Sequence, residues 1–299
     1  KSIIIGVDVG GTFTDTLALD EATGAVRVEK VPSTKGDQSN GFLSGILAAT
    51  DHDLSSVSTI IHGTTVATNA LLERKGAKAG IITTEGFRDV LEMRRRDRPS
   101  TWGLWGQFTP VIERKCRLEV PERTLANGTV VKDVDEASIK AAAQDLIAQG
   151  CESVCLFFIN GYANTDNETK AARILRQVWP NDYVSVATEI LPEIREFERC
   201  STASLNAYLQ PVVANYLARL ETRIAEDDAG SEILIVQSNG GIMSVDTAKA
   251  LPVRTALSGP AAGVVAARQI AKAAGFENVI TCDMGGTSFD VSLVADGQN

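Results

Sequence analysis

The sequence predicts an α/β protein in which a largely parallel sheet is flanked by helices. Apolar runs that suit strands alternate with segments that suit helices along most of the chain. Two of these runs, 154–159 and 233–236, are apolar throughout, as expected for strands that are covered on both faces. The length of 299 residues exceeds that of a typical single domain, so we expect two domains.

Local signals place the elements in order. Strands are predicted near 2–8, 13–19, 26–31, 58–62, 79–83, 153–158, 183–187, 232–236, 278–283 and 289–294. Helices are predicted near 39–50, 65–75, 86–94, 135–149, 166–178, 197–226, 244–250 and 260–274. Asp135 suits the start of one helix and Gly150 suits its end. Pro211 either begins a second helix or kinks the long segment 193–228.

Residues 95–133 interrupt this alternation. The segment combines several prolines with many charged residues and with Trp102 and Trp105. We therefore expect an insertion on the main fold that is irregular and partly β.

Composition excludes several classes of protein. The formal net charge of −9 argues against nucleic acid as the main partner. The chain has no apolar run long enough to span a bilayer, and its N-terminus lacks the pattern of a signal peptide, so no membrane partner is expected. The 5 cysteines form no disulfide ladder, and with only 2 histidines a zinc cage is disfavoured. A reducing cytoplasm is the simplest compartment.

One polar pattern occurs twice, near the two ends of the chain. The first copy consists of Asp8, Gly10, Gly11, Thr12 and Asp15. The second copy lies 275 residues later and consists of Asp283, Gly285, Gly286, Thr287 and Asp290. Each copy lies between two apolar runs, so each is predicted to form the tip of a strand–turn–strand hairpin.

The chemistry of this pattern suits a phosphate and its metal ion. A Gly-Gly pair permits positive φ and leaves no Cβ in the way, so backbone N–H groups can approach an anion. The leading Asp8 or Asp283 suits Mg²⁺, which retains much of its hydration and takes few carboxylates. Asp15 or Asp290 could serve the same ion, orient a water or support the turn. A single copy is also an ordinary turn, whereas the repeat favours ATP held between two halves of a duplicated fold.

Two further segments each allow a functional and a structural interpretation. His62 follows a predicted strand and precedes a helix, a position where α/β proteins bind ligands, although the neighbouring Thr64 or Thr65 is explained as a helix cap. Ser258 and Gly259 begin an apolar helix, which either points its N-terminus at the nucleotide cleft or packs closely on the sheet.

The same two interpretations apply to two polar runs. Residues 237–241 form either a third wall of the cleft or a plain turn. Residues 94–98, with four arginines, form either a solvated face or a binding site for an acidic substrate or a partner subunit.

These motifs together resemble a known family. The segments that carry the resemblance are Gly6–Asp15, His62–Leu72, Ser238–Gly241, Ser258–Gly263 and Asp283–Asp290. In this order, and over essentially the whole chain, they are similar to motifs of the hydantoinase A/oxoprolinase family within the actin-like ATPase superfamily. The resemblance implies an actin-like ATPase (ribonuclease H-like) domain with a mixed sheet and flanking helices.

The resemblance also implies a domain organisation. Residues 1–257 would form a first actin-like domain with an inserted segment near 95–133. Residues 258–299 would form a connecting helix and the beginning of a second such domain. Family members are considerably longer than this chain, which is therefore expected to be an N-terminal part that lacks the adenosine pocket.

The family includes ATP-dependent hydantoinases, 5-oxoprolinases, lactamases and subunits of ketone carboxylases. The resemblance therefore implies that ATP phosphorylates a carbonyl oxygen of a cyclic amide, which is then hydrolysed with a B-type subunit or domain in an oligomer. One alternative is a subunit of an acetone or acetophenone carboxylase. A second alternative is a non-enzymatic, actin- or chaperone-like protein whose interactions are gated by nucleotide.

The resemblance assigns roles to individual positions. The residues expected to bind ATP are Gly10, Gly11, Thr12, Thr14, Gly259, Gly285, Gly286, Thr287 and Ser288. Asp8 and Asp283 are expected to hold Mg²⁺. Asp8, Asp15 or His62 would orient the substrate oxygen, and these three are the candidate catalytic residues.

Overall fold

The computed structural model describes residues 1–34, 37–95, 108–227, 230–284 and 289–298. The strands are β1 Ile3–Val9, β2 Phe13–Asp20, β3 Val26–Pro32, β4 Val57–Thr64, β5 Ala79–Thr84, β6 Arg117–Val120, β7 Arg123–Thr124, β8 Val130–Lys132, β9 Ser153–Phe157, β10 Val184–Val186, β11 Glu232–Val236, β12 Ile242–Ser244, β13 Val279–Met284 and β14 Phe289–Val294. The α-helices are α1 Gln38–Ala49, α2 Val66–Leu72, α3 Val90–Met93, α4 Glu136–Ala148, α5 Asp166–Val178, α6 Ala187–Ile190, α7 Glu196–Asp227, α8 Val245–Ala250 and α9 Ser258–Ala273.

The chain forms two compact units. The first unit comprises Lys1–Leu72 and Val213–Asn299, and the second comprises Glu73–Val212. These limits differ from the domain boundaries expected from the sequence, because the second unit is formed by a central segment of the chain. That residues 258–299 begin a further domain stays a prediction.

The first unit contains a six-stranded mixed sheet in the order β12-β11-β4-β1-β2-β3. The central strands β1, β4 and β11 are parallel, whereas β2, β3 and β12 run antiparallel to their neighbours. Helix α1 begins at Asp37, whose carboxylate accepts a hydrogen bond from the N–H of Ser39. The helix packs Phe42 and Ile46, both fully buried, onto the sheet face that β1 and β2 present.

The first unit also contains a separate two-stranded hairpin, β13–β14. Helix α9 packs against this hairpin and against β4 and β11 of the six-stranded sheet. The hairpin is antiparallel, as the predicted strand–turn–strand arrangement requires.

The second unit contains a four-stranded parallel sheet in the order β10-β9-β5-β6. Every residue of β5, β9 and β10 is buried, which explains why the sequence of these strands is not alternating. Helix α4 begins at Asp135, which accepts from the N–H of Ser138 at 2.9 Å, and ends before Gly150 at φ +79°. Both predicted boundaries of this helix are confirmed.

A buried ion pair crosses the interior of the second unit. The Arg199 guanidinium lies 3.2 Å from the Glu168 carboxylate, and it also donates to the carbonyl of Phe158 at 2.9 Å. Glu168 accepts further hydrogen bonds from the N–H groups of Phe158 and Thr188. Because both charges are paired and hydrogen-bonded, removal of either partner would leave an uncompensated buried charge.

The predicted strands and helices are confirmed in type and order, whereas β12 and α6 were not predicted. Pro211 lies inside α7 and begins no new helix, since α7 runs from Glu196 to Asp227. The described part of 95–133 is partly β, as expected, but β6 is an integral strand of the parallel sheet of the second unit. Residues 96–107 lie outside the described residues. Among the described helices, none has the length and apolar character that a membrane span requires.

Candidate functional site

The tip of the first hairpin is formed by a close approach of its two strands. The N–H of Gly10 donates to the carbonyl of Phe13 at 3.0 Å, and a Cβ added to Gly10 would lie 3.0 Å from the same oxygen. Neither Gly10 nor Gly11 adopts a positive φ, so backbone conformation does not require a glycine here. Gly10 is required because a side chain would lie too close to the Phe13 carbonyl. Gly11 and Thr12 are exposed and available to a ligand.

Asp8 lies beside this tip, near the end of β1. In the sheet it is paired with Asp15 on one side and with Gly63 on the other. A Cβ added to Gly63 would lie 3.2 Å from Oδ1 of Asp8, and one added to Gly259 would lie 3.8 Å from the same atom. Two glycines therefore leave space around the Asp8 carboxylate, and one of them lies in the first turn of α9.

Gly63 is a site residue that the sequence reasoning missed. It stands in the run His62–Leu72 that carries the family resemblance, directly after the more reactive His62. The signal was the requirement for a residue without a side chain at the end of β4, directly beside the end of β1.

The helix N-terminus beside Asp8 is held by two hydrogen bonds to a distant part of the chain. Leu257 takes a left-handed conformation at φ +60°, and its N–H donates to the hydroxyl of Thr68 at 2.9 Å. The buried Ser258 hydroxyl donates to the carbonyl of Thr64 at 3.3 Å. The first turn of α9 is thus fixed to the β4–α2 connection, and the positive end of its dipole lies near the Asp8 carboxylate.

Negative charge accumulates around Asp8. Although the residue keeps an exposed surface, desolvation by the surrounding protein raises the pKa of Asp8, and the charges of Asp15 and Asp283 raise it further. Among the described residues, no cationic side chain pairs with Asp8. The structure therefore brings the leading aspartates of the two sequence repeats into electrostatic contact.

Asp15 lies on the same sheet face as Asp8 but is held by a cation. The Lys30 ammonium on the next strand lies 2.9 Å from Oδ1 of Asp15 and also contacts Oδ2. Both side chains are more than half exposed, so the pair contributes little to stability. Asp15 is near the site, and its carboxylate is engaged by Lys30.

Thr14 does not reach the open end of the hairpin, which differs from the expectation that it binds the nucleotide. It is completely buried, and its hydroxyl lies 2.9 Å from the hydroxyl of Ser33. Side chains alternate between the faces of a strand, so Thr14 faces α1 while its neighbour Asp15 faces the site.

His62 also differs from the expectation of a ligand or catalytic role. Its imidazole is fully buried, with Nε2 at 2.9 Å from the hydroxyl of Tyr216 and Nδ1 at 3.4 Å from the carbonyl of Val7. The ring packs edge-on against Phe42. Burial lowers the pKa of His62 to about 4, so the imidazole is neutral and has a structural role in the core.

The second hairpin repeats the register of the first. Asp283 pairs with Asp290 across β13–β14, just as Asp8 pairs with Asp15 across β1–β2. Asp283 is exposed. The predicted ligand residues Gly285, Gly286, Thr287 and Ser288 lie outside the described residues.

The described residues fit a hydrated divalent cation better than a dehydrated metal cage. No group of three or more His, Cys, Asp and Glu side chains among them is arranged to hold a metal ion. Asp8 and Asp283 nevertheless concentrate negative charge at one place with no cation from the described protein to balance Asp8. Mg²⁺ that is bound through one or two carboxylates, water and phosphate oxygens suits this arrangement.

The local geometry of two other segments is also defined. Residues 237–241 form the tight turn between β11 and β12, in which the Gln237 N–H donates to the carbonyl of Gly241 at 2.7 Å. The side-chain amide of Gln237 donates to the carbonyl of Ile242. The hydroxyl of Thr64 accepts from the N–H of Val66 at the start of α2, which confirms the predicted helix cap.

Comparison with known proteins points to one family. The model for the hydantoinase/oxoprolinase N-terminal region matches residues 4–179, and the hydantoinase/oxoprolinase model matches residues 199–299. Caprolactamase subunit alpha of Pseudomonas jessenii is 34% identical over 98% of this chain. The 5-oxoprolinase of Saccharomyces cerevisiae is 30% identical over 99% of this chain. The matches cover 44% and 26% of those proteins, so the chain spans less than half the length of these relatives.

Two solved structures share the fold. The crystal structure of the ATP-dependent caprolactamase from Pseudomonas jessenii aligns with 97% of this chain and 43% of its own, with a TM-score of 0.85 and 34% identity. Nucleotide-free acetone carboxylase aligns with 99% of this chain and 44% of its own, with a TM-score of 0.86 and 28% identity. The predicted fold class, a mixed sheet with flanking helices of the actin-like ATPase type, is confirmed.

Proposed function

The chain belongs to the hydantoinase/oxoprolinase family, and from this premise we propose that it is the ATP-using A-type part of a cyclic amide hydrolase. The substrate would be a hydantoin, 5-oxoproline or a lactam. The relatives named as a caprolactamase and a 5-oxoprolinase support this choice of substrate class.

One observation carries the proposal. The unpaired carboxylate of Asp8 lies beside Gly63, the N-terminus of α9 and the tip of the first hairpin, and the charge of Asp283 reaches it. Backbone N–H groups with a helix N-terminus suit phosphate oxygens, and the two carboxylates suit a hydrated cation between them. A site of this composition supports the use of Mg·ATP.

Each residue has a distinct role in the proposal. The N–H groups of Gly10, Gly11 and Thr12 and the hydroxyl of Thr12 would bind phosphate oxygens, as would the matching residues Gly285, Gly286, Thr287 and Ser288. Gly259 would bring the first turn of α9 to the same anion.

Asp8 and Asp283 would hold the water shell of Mg²⁺. Asp15 would keep Lys30 at the edge of the site and orient the substrate oxygen. Because they are buried and hydrogen-bonded elsewhere, Thr14 and His62 are left out of the proposed reaction.

Bound Mg·ATP would supply a phosphoryl group to the amide carbonyl oxygen, which would make the carbonyl carbon open to attack by water, with ADP and inorganic phosphate released and the ring C–N bond broken. The chain's own part is positioning and charge compensation, as in other phosphoryl transfers. Relatives named as alpha, beta and gamma subunits support a partner B-type subunit or domain that completes the reaction in an oligomer.

A ketone carboxylase subunit is the second candidate. The structure of acetone carboxylase supports it with a TM-score of 0.86 and 28% identity, whereas the caprolactamase structure has a nearly equal TM-score of 0.85 and a higher identity of 34%. The two candidates share the same ATP site and differ in the compound that is activated.

Steady-state ATP turnover separates these candidates. The full-length protein and its partner subunit are assayed with hydantoin, 5-oxoproline or caprolactam, and separately with acetone or acetophenone plus bicarbonate. Turnover that rises only with cyclic amides supports the hydrolase, whereas a requirement for ketone and bicarbonate supports the carboxylase. ATP turnover that ignores every compound would contradict both and favour the non-enzymatic alternative.

Two variants, one at the proposed site and one control, test whether Asp8 takes part in the reaction. Asp8→Asn is expected to lower turnover by about 100-fold or more, because it removes a negative charge at the cation. The raised pKa of Asp8 means that its ionised form costs stability at neutral pH, so Asp8→Asn is expected to keep or raise the melting temperature. Asp182→Asn, which changes an exposed carboxylate of the second unit, serves as the control. Normal turnover by Asp8→Asn would exclude this residue from the site.

A further inference from the structure

Lys30 of β3 stands in one row with the acidic residues of the proposed ATP site. Asp8 pairs with Asp15 across β1 and β2, and Asp15 pairs with Lys30 across β2 and β3. On its other side Asp8 pairs with Gly63 of β4. Residues that pair directly across a sheet point to the same face. The Lys30 side chain therefore shares its face with the Asp8 carboxylate.

The Lys30 side chain is directed towards the tip of the first hairpin. Its ammonium lies 2.9 Å from Oδ1 and 3.2 Å from Oδ2 of Asp15. It also lies 5.2 Å from the centre of the Phe13 ring, and Phe13 is two residues nearer the tip than Asp15. Phe13 directly follows Thr12, which belongs to the proposed phosphate-binding tip. The ammonium is thus placed alongside both the row of aspartates and this tip.

The ion pair between Lys30 and Asp15 leaves the ammonium able to bind a ligand. The two side chains are 57% and 51% exposed, so water screens their attraction and the pair contributes little to stability. An ammonium carries three N–H donors, and the two oxygens of Asp15 occupy two of them. A third donor is left for another acceptor, which can bind without loss of the contact with Asp15.

The proposed site requires positive charge when it holds a triphosphate. The charges of Asp15 and Asp283 already act on Asp8. The phosphates of ATP add more negative charge, of which Mg²⁺ balances a part. A lysine ammonium is a compact point charge that suits phosphate oxygens. Lys30 supplies such a charge in contact with one of these aspartates.

We propose that Lys30 binds the γ-phosphate of ATP and that Asp15 holds the ammonium in position. The inference rests on the proposed function, in which Asp15 orients the substrate oxygen that receives the phosphoryl group. The γ-phosphate is the group that is transferred, so it is the phosphate that lies nearest to Asp15 and to the cation held there. The ammonium offsets charge on this group as it passes to the substrate oxygen. Lys30 exchanges no proton and forms no covalent bond in this step.

A cross-strand ion pair that meets no ligand is the competing explanation. Opposite charges on neighbouring strands stabilise a sheet slightly, which accounts for the contact between Lys30 and Asp15. Under this explanation, loss of the ammonium changes stability by a small amount and leaves nucleotide affinity as it was. A contact with the γ-phosphate instead predicts a loss that is specific to the triphosphate. The two explanations therefore differ in a measurable affinity.

Isothermal titration calorimetry tests the proposal on the full-length protein with its partner subunit. The ligands are ADP and a non-hydrolysable ATP analogue, each with Mg²⁺. Lys30→Met keeps the length of the side chain and removes its charge, so it is expected to weaken binding of the analogue by about tenfold or more and that of ADP by less than about threefold. Lys30→Arg keeps a positive charge and is expected to recover most of the lost affinity.

Lys140→Met is the matched control, because it removes an ammonium from an exposed ion pair on α4. The melting temperatures of Lys30→Met and Lys140→Met are expected to lie within about 2 °C of each other, since exposed ion pairs contribute little. This measurement checks that both variants fold.

Each outcome of the titration decides the proposal. A loss of analogue affinity in Lys30→Met that Lys30→Arg recovers and Lys140→Met does not share supports it. Wild-type affinity of Lys30→Met for the analogue would overturn it and leave the proposed ATP site in place. An equal loss for the analogue and for ADP would also overturn it, because the contact would then not be with the γ-phosphate. If the wild-type protein bound neither nucleotide, the proposed function would fail together with this inference.

Discussion

The two hairpins of the first unit have the same register and opposite surroundings. In the first, the cross-strand pairs Ile5–Ala18, Val7–Thr16 and Val9–Thr14 are all buried. In the second, the pairs at the same offset are Ile280–Leu293, Cys282–Val291 and Met284–Phe289, and all are exposed. Ile5 is 0% exposed, whereas Ile280 is 70% exposed.

This difference shows which properties of a hairpin follow from its own sequence and which depend on the elements that pack against it. Register and the facing aspartates are the same in both copies, so they follow from the repeated sequence and from strand alternation. Burial follows from α1, which packs on the first hairpin. The site chemistry therefore depends on the face that both hairpins share, while the stability of these 299 residues depends on the face that is covered in the first hairpin.

The largest expected effect is on stability, and it is tested by replacing the isoleucine at the same position of each hairpin. Ile5→Ala should lower the free energy of unfolding by about 2–5 kcal/mol, because it leaves a cavity beneath α1. Ile280→Ala should change it by less than about 0.5 kcal/mol, because the side chain is already exposed. Urea denaturation measures both. Equal losses in the two variants would mean that the second hairpin has a covered face after all.

The covered face of the first hairpin also predicts a pH effect through His62. The folded pKa of about 4 lies below the ordinary value of 6.5, so the unfolded chain binds the proton first. Stability is then fully present above about pH 6.5 and falls by about 3 kcal/mol as the pH drops towards 4. Denaturation at several pH values should show this fall in wild type and in His52→Gln, but a smaller one in His62→Gln. If the stability of His62→Gln fell by the same amount, the pH dependence would come from other titrating groups.

Asp8 and Asp283 occupy the same position on the same face of their hairpins, so we expect their carboxylates to have the same role. Asp283→Asn in the full-length protein should lower ATP turnover by about 100-fold, as Asp8→Asn does, because both would hold the same cation. Raising the Mg²⁺ concentration should recover part of the loss in each variant. Turnover near wild type in Asp283→Asn would show that the repeat is structural in the second hairpin and functional only in the first.

The smallest expected effect is also on stability, and it is tested by replacing one glycine in α1 and one in α9. A Cβ added to Gly45 of α1 would lie 2.4 Å from the Thr16 hydroxyl, whereas one added to Gly263 of α9 would meet nothing within 4 Å. Gly45→Ala should therefore destabilise the protein by about 1–3 kcal/mol. Gly263→Ala should stabilise it by up to about 1 kcal/mol through helix propensity. Thermal unfolding of the two variants gives the comparison, and a stabilising Gly45→Ala would contradict close packing of α1.

Much of the fold was predictable because its signals are local. Apolar runs of strand length, the cap at Asp135 and the left-handed Gly150 each act within a few residues, and all of them are confirmed. The limits of the two units were not predictable in this way. The second unit ends inside α7, between Val212 and Val213, where the helix continues without a break.

The candidate site was predictable only in part. The hairpin pattern identified Asp8 and its neighbour Gly10, whereas the pattern around His62 drew attention to a reactive side chain that the fold buries. Strand alternation alone would have separated Thr14 from Asp15, since adjacent residues of a strand face opposite sides. Gly63 leaves space for Asp8 only because β1 and β4 are paired in the sheet. The two residues lie more than fifty positions apart in the sequence, so no local pattern indicates this contact.

The sequence by itself determined the elements, the duplicated hairpin and the family, because each rests on residues that act on their near neighbours or on an ordered set of motifs. Only the tertiary structure decided which copy has its apolar face covered, since that depends on the helix that packs there. It also brought Asp8, Gly63 and Gly259 together. These contacts join distant parts of the chain, and no local pattern specifies them.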